Sequence, residues 1–174
     1  VGSALPALLW GVAVANIVQG VPLDAHHEFT GSLLTLLNPY GLLGGVTTLL
    51  LFFTHGVYFV ALKTDGQVRT DARKLARTSG LLTIVVAAAF LGWTVVNAIG
   101  AQAPALPLVI VCAVLAAVLL IASVLANATD REGWAFGFGA GTVAFAVLTL
   151  WLALFPNVMP STTDPAGTLT IENA

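Results

Sequence analysis

Four stretches of this sequence carry no Asp, Glu, Lys or Arg: residues 1–23, 29–62, 78–129 and 133–163. They run for 23, 34, 52 and 31 residues, and all 14 charged residues crowd into the 34 positions left over. A helix that crosses a bilayer needs about 20 mostly apolar residues, at a rise of about 1.5 Å each across a hydrocarbon core of about 30 Å. Every stretch meets that length, and the third is far too long for one crossing. The pattern predicts an integral membrane protein. Composition agrees, with 8% of residues charged against roughly 25% in an average soluble domain. A soluble globular domain, a disordered tail and a nucleic-acid binder are excluded, the last two because both need charge that is missing here.

The expected fold class is all-α, a polytopic transmembrane bundle forming a single domain over 1–174. Five crossings can be placed, at about 1–21, 39–62, 79–99, 106–128 and 133–155. Pro22 follows the first, Pro39 opens the second as a good first-turn residue, and Pro156 stops the fifth. The 52-residue run divides at Gly100-Ala101-Gln102-Ala103-Pro104, a turn signal with Pro107 close behind. Residues 29–37 place Phe29, Leu33, Leu36 and Leu37 at i, i+4, i+7 and i+8, which predicts a short interfacial helix on the membrane face. A signal peptide is a poor fit to the start, since no basic residue precedes the apolar run. Val1 is no initiator methionine, which fits either a fragment or a renumbered segment.

Orientation follows from the cations. Lys63, Arg69, Arg73, Lys74 and Arg77 lie between the second and third crossings, and Arg131 between the fourth and fifth. Alternating crossings put segments 63–78 and 129–132 on one side. Segments 22–38, 100–105 and 156–174, on the other, hold no Lys or Arg. The positive-inside rule makes 63–78 and 129–132 cytoplasmic loops.

Polar groups inside a bilayer are costly and face protein or water. Asn16 and Gln19 lie three apart near the outer end of the first crossing, where a bond to a neighbouring helix or to headgroup water is the expected role. Asn97 holds the matching place near the outer end of the third. His55 stands in the cytoplasmic half of the second crossing, about 24 Å along the helix from Pro39, with Tyr58 one turn on and Thr48 and Thr54 nearby. Its chemical readings are a proton relay, a quinone contact or a haem ligand. The favoured reading is structural, a neutral imidazole bonded to a carbonyl or hydroxyl of an adjacent helix, because no second ligand stands beside it. His26-His27-Glu28 matches no zinc or di-iron spacing and reads as a solvated loop, so no metal site is expected. Cys112 lies alone in an apolar run, without a disulfide framework.

Gly133, Gly137 and Gly141 repeat at four-residue steps in the fifth crossing, and Gly41 and Gly45 make one such step in the second. These flatten a helix face so that a neighbour, in the chain or in a partner, can approach closely. No H-E-x-x-H, G-x-S-x-G, P-loop or paired carboxylate occurs in any span, so no catalytic residue is assigned.

An ordered set of strings carries a family resemblance. It comprises Asn16-Ile17-Val18-Gln19-Gly20-Val21-Pro22, Thr30-Gly31-Ser32, Leu36-Leu37-Asn38-Pro39-Tyr40-Gly41-Leu42-Leu43-Gly44-Gly45, Thr54-His55-Gly56 and Leu62-Lys63-Thr64. Trp134-Ala135-Phe136, Phe155-Pro156-Asn157-Val158-Met159-Pro160-Ser161 and Leu169-Thr170-Ile171 complete it. In this order they resemble the second subunit of cytochrome bd-type quinol oxidases, in register with the crossings above. The resemblance implies a complex in the bacterial cytoplasmic (inner) membrane that oxidises membrane quinol, reduces dioxygen to water and contributes to the proton gradient. It implies a heterodimer with a subunit I that carries two b-type haems and one d-type haem, with a small single-helix subunit as an optional third partner. The second subunit, on this resemblance, is accessory and haem-poor. Some members hold a structural quinone, and in some a dioxygen or proton route passes partly through it. The chain would lack about three helices before Val1 and one after Ala174, and with them the family's buried acidic residues. Some relatives carry glutamine at the place of His55.

The alternative class is a helical-bundle transporter or channel subunit, which predicts paired intramembrane charges or helices broken at midplane. No span contains a charge. An intramembrane enzyme acting on lipid would need acidic or nucleophilic pairs at a membrane face, and none is found.

Overall fold

The computed structural model describes residues 3–173. Six helices follow one another: α1 (Ala4–Gln19), α2 (Leu33–Leu36), α3 (Pro39–Lys63), α4 (Gly66–Gly100), α5 (Leu106–Ala128) and α6 (Glu132–Leu154). Two short strands close the chain, β1 (Asn157–Met159) and β2 (Leu169–Thr170), paired antiparallel. The bundle packs in sequence, α1 on α3, α3 on α4, α4 on α5 and α5 on α6, and α6 returns to touch α3.

Local chemistry fixes the ends. Asn38 accepts the Gly41 N–H at 2.8 Å as an N-cap with Pro39 behind it, so α3 starts where the sequence predicts. α1 stops at Gly20, whose φ of 97° lets the chain turn out while its N–H returns to the Asn16 carbonyl. Inside the helices, Thr47, Thr83, Thr94, Thr142 and Thr149 donate their hydroxyls to the carbonyl four residues back. That internal partner allows each to be buried without a stranded polar group.

α3, α4, α5 and α6 are long and apolar enough to cross a membrane. The chain is therefore a multi-pass membrane protein. The first of the five expected crossings differs. α1 has 16 residues, about 24 Å at 1.5 Å each, short of a core of about 30 Å. Val1, where that crossing was placed to begin, lies outside the described residues.

Two further expectations are corrected. The segment 63–78 is a loop only at Thr64 and Asp65, because α4 is one helix of 35 residues that begins at Gly66. Its first three turns hold together through the Gln67–Asp71 bond at 2.9 Å, and Ala72 and Ala76 pack with Tyr58, Ala61, Ala126 and Ala135. The interfacial helix is a single turn, Leu33–Leu36, closed by Ser32 and Thr35. Phe29 instead bridges Leu23 and the Thr30 N–H reaches the Pro22 carbonyl, so extended pairing claims the first half of the amphipathic stripe. The mostly helical bundle agrees with the all-α class, to which the tail adds only the short β1–β2 pair. The tail that carries it is tied to the segment after α1: the Val21 N–H meets the Pro160 carbonyl, the Thr162 N–H meets the Val21 carbonyl, and the Ser161 and Thr163 hydroxyls both donate to the Leu23 carbonyl. His27 Nδ1 lies 3.1 Å from the Gly167 carbonyl oxygen. These contacts form a cap over one end of the bundle.

Candidate functional site

The capped end holds a polar node. Asn16 is 3% exposed. Its Nδ2 donates to the Val12 carbonyl at 2.8 Å and the Leu36 carbonyl at 2.7 Å, and its Oδ1 accepts from Asn38 Nδ2 at 2.7 Å. Asn38 in turn caps α3, so one amide ties α1, α2 and α3 together. Gly41 makes room for it, since a Cβ there would lie 2.6 Å from Asn16 Nδ2. Gln19 lines the recess beside this node with Tyr40 and Trp93, and a second recess on its other side with Asn97. In the cap, the Asp24 carboxylate is held below its usual range by the backbone N–H groups of Glu28 and His26.

Between helices runs a ladder of hydroxyl pairs. Tyr40 bonds Thr94 at 2.8 Å, Thr54 bonds Thr83 at 3.0 Å, and Tyr58 bonds Ser123 at 3.3 Å. The ladder joins α3 to α4 twice and to α5 once. Of these six residues the sequence reading singled out Tyr58 as a site candidate and noted Thr54 near His55. Tyr40, Thr83, Thr94 and Ser123 gave no signal, because their pairing is set by which faces meet.

Between α3, α4, α5 and α6 lies an apolar cavity of about 150 Å³, with the exposed side chains of Phe52, Ile121 and Val147 among its lining. Ala87, Leu91, Ala116, Leu120 and Ala146 form much of its wall, with Thr47, Thr48 and Thr142 as its polar residues. Those three hydroxyls are spent on the carbonyls of Leu43, Gly44 and Phe138. An apolar cavity of this size excludes water and admits apolar guests.

His55 lies outside that cavity. Its ring stacks on Phe136 at 4.4 Å between centroids and 23° between planes. Nδ1 has no hydrogen-bond partner among the described residues, and a Cβ on Gly139 would come within 2.9 Å of it. The hydrogen bond expected of a structural His55 is thus absent at that nitrogen, and an aromatic stack stands in its place. The described residues contain no group of three His, Cys, Asp or Glu that could hold a metal ion.

The glycine candidates separate. Gly41 and Gly45 belong to a seam with Gly44 against α1, where Gly45 approaches Val12 and the Leu8 carbonyl, and Gly44 meets Ala15 and the Gly11 carbonyl. On α6, Gly141 abuts Leu119, Gly133 reaches only Leu62 at 4.0 Å, and Gly137 has nothing within 4 Å. Close packing of the 133–137–141 face within this chain therefore stops at Gly141.

The other end of the bundle carries an ion cluster. Glu132, 5% exposed at the start of α6, accepts from Arg69 Nε and Nη2 at 2.9 Å each and lies 3.6 Å from Arg73 Nε. Arg73 also pairs with Asp130. Asn127 Nδ2 donates to the Arg73 carbonyl at 3.1 Å, which pins the end of α5 to the extension of α4. The segments 63–78 and 129–132 thus meet at one end.

Comparison with known proteins adds identity to this geometry. The family model described as Cytochrome bd terminal oxidase subunit II matches residues 1–174. The chain is 32% identical over 182 residues to the cytochrome bd ubiquinol oxidase subunit 2 of Bacillus subtilis (strain 168), covering 99% of this chain and 51% of that protein. It is 31% identical over 206 residues to the cytochrome bd-I ubiquinol oxidase subunit 2 of Escherichia coli (strain K12), with 100% and 54% covered. A probable cytochrome oxidase subunit 2 of Haemophilus influenzae is 31% identical over 199 residues, with 97% and 53% covered. The chain spans about half the length of these relatives.

Proposed function

The chain belongs to the cytochrome bd terminal oxidase subunit II family, and from that premise we propose that it forms part of the accessory, haem-poor subunit of a terminal quinol oxidase. The complex oxidises membrane quinol, reduces dioxygen to water and adds to the proton gradient across the bacterial inner membrane. Two b-type haems and one d-type haem, carried by subunit I of the heterodimer, supply the electron transfer and the oxygen chemistry. No redox step is assigned to a residue of this chain, whose one intramembrane histidine stacks on Phe136.

The contribution of this segment is a dry route or reservoir for dioxygen, together with the scaffold that keeps it open. The observation that carries this reading is the apolar cavity of about 150 Å³ among α3, α4, α5 and α6. Dioxygen is small and apolar, so it enters hydrocarbon-like space that water avoids. The hydroxyl ladder fixes α3 against α4 and α5, and the wall stays dry because its threonines are satisfied within their own helices. The same space could seat part of a quinone tail. A transporter reading has less support, since the four long helices run unbroken and no charged residue lies within 39–62, 78–128 or 133–154.

The test fills the cavity. Ala117→Leu and Ala146→Leu place branched carbons where the wall now has methyl groups. In the intact complex, the KM for dioxygen should rise severalfold, with haem content and turnover at saturating oxygen retained. An unchanged KM in a correctly assembled double variant refutes the assignment.

A further inference from the structure

A cleft of about 280 Å³ opens at the basic end between α4 and the end of α5, lined by Thr70, Arg73, Lys74, Arg77, Asn127 and Ala128. We infer that this cleft binds the phosphate of an anionic phospholipid, of phosphatidylglycerol chemistry, in the leaflet that the basic end of the bundle faces.

Depth is the first argument. Arg77 immediately precedes the 52-residue uncharged run, and Asn127 and Ala128 stand near its other end. From residue 78, α4 has 23 residues left, about 34 Å at 1.5 Å each, which fills a hydrocarbon core of about 30 Å. The cleft therefore sits where the core gives way to headgroups. A membrane phosphate reaches this level without leaving the bilayer.

Charge is the second. Arg73 is neutralised by Glu132 and Asp130. Lys74 and Arg77 have no carboxylate within 4 Å among the described residues, and they follow one turn apart on the wall of the cleft. Two unpaired cations at one turn's spacing in a concavity match one phosphodiester. The Asn127–Arg73 bond holds the two walls together before any ligand arrives. Asn127 is 2% exposed, and its Oδ1 is met by no donor among the described residues. A glycerol headgroup leaves the lipid a net anion for these two cations, whereas a choline headgroup neutralises it.

Hydrocarbon is the third. Below the cleft, Leu81 and Val85 follow Arg77 at four-residue steps on α4, 54% and 68% exposed, and Leu125 on α5 is 61% exposed. They give acyl chains apolar surface on the membrane side of the two cations.

Lys63 serves as the control, because it is a cation at the same end, at the last residue of α3, that does not line the cleft. The intact complex is stripped of lipid in detergent and titrated with phosphatidylglycerol or phosphatidylcholine, with bound lipid counted by native mass spectrometry. Wild type should retain phosphatidylglycerol preferentially. Lys74→Gln with Arg77→Gln should weaken that retention roughly 30-fold, about 1 kcal/mol for each cation, while Lys63→Gln leaves it unchanged. Equal losses in both variants, or no preference between the lipids, overturn the proposal. Displacement of the lipid by millimolar inorganic phosphate also overturns it, in favour of a soluble phosphate ligand. Oxygen consumption is not the readout, so this outcome is independent of the oxidase assignment.

Discussion

Gly11 gives the sharpest stability prediction. An added Cβ there would lie 2.6 Å from Thr48 Oγ1, 2.7 Å from the Gly44 carbonyl oxygen and 2.7 Å from the Gly45 Cα. Carbon atoms rest about 3.5–4.0 Å apart, and two of these obstacles are backbone, so no rotamer relieves the clash. α1 and α3 must part by roughly 1 Å, a gap that forfeits a quarter to a half of each dispersion contact along the seam. Overpacking of this kind costs about 1–3 kcal/mol, offset in part by the helix propensity of Ala over Gly, about 0.8–1 kcal/mol. Because two of the obstacles are backbone, the overpacking cost falls in the upper part of that range, about 2–3 kcal/mol, and the net loss for Gly11→Ala is about 1–2 kcal/mol, which lowers the melting temperature by roughly 2–8 °C at this chain length. Melting of the purified protein, followed by tryptophan fluorescence, reads it directly. Gly137→Ala is the matched control, because nothing lies within 4 Å of its Cβ position. It should melt at or slightly above wild type. Equal shifts in both variants, or a Gly11→Ala protein that melts like wild type, would refute the seam as a close backbone contact.

Two other substitutions test the ends of the argument. Glu132→Gln leaves Arg69 and Arg73 without their shared carboxylate. Breaking a fully buried pair costs about 3–5 kcal/mol, but the Arg69 side chain is 41% exposed and water answers part of that loss. About 1–2 kcal/mol is expected by melting, and a double-mutant cycle with Arg69→Met that shows no coupling would sink the pairing. His55→Gln should leave oxidase turnover nearly unchanged and cost about 0.5–1 kcal/mol through the lost Phe136 stack. A collapse of turnover with normal haem content would instead make His55 part of the mechanism.

The four long helices were legible because lipid imposes a one-dimensional rule: charge is excluded over a length set by the core. Pro39 and the Gly100–Pro104 turn added boundaries that local chemistry dictates. The errors fall where tertiary contacts outvote composition. Charges made 63–78 read as a loop, yet Ala72 and Ala76, spaced for one helix face, find Tyr58, Ala126 and Ala135 and draw the whole segment into α4. The stripe from Phe29 to Leu37 had the right period for a helix, and Phe29 still went to Leu23. A period marks which residues can share a face without saying whether backbone pairing elsewhere is stronger.

Site residues were legible in proportion to how far their chemistry is local. Asn16 stood out because an amide in an apolar helix needs a partner, and it has three hydrogen bonds. Thr83, Thr94 and Ser123 stayed silent, since a hydroxyl satisfied four or three residues back costs nothing wherever it points. Glycine spacing misled in the same way. The regular run on α6 leaves Gly137 open, whereas a close backbone approach joins Gly11 to Gly44 and Gly45, and Gly11 has no glycine four residues away on its own helix. A four-residue step on one helix gives half of a seam, and the other half is any residue small enough on the facing helix. The cations follow the same logic. All six are visible in the sequence between the apolar runs, but which are paired depends on Glu132 and Asp130, about 60 residues further along the chain. Pairing takes up Arg69 and Arg73 and leaves four cations without a carboxylate among the described residues, of which Lys74 and Arg77 line the cleft while Lys63 and Arg131 do not, so the charge available to the cleft is less than the sum of this face.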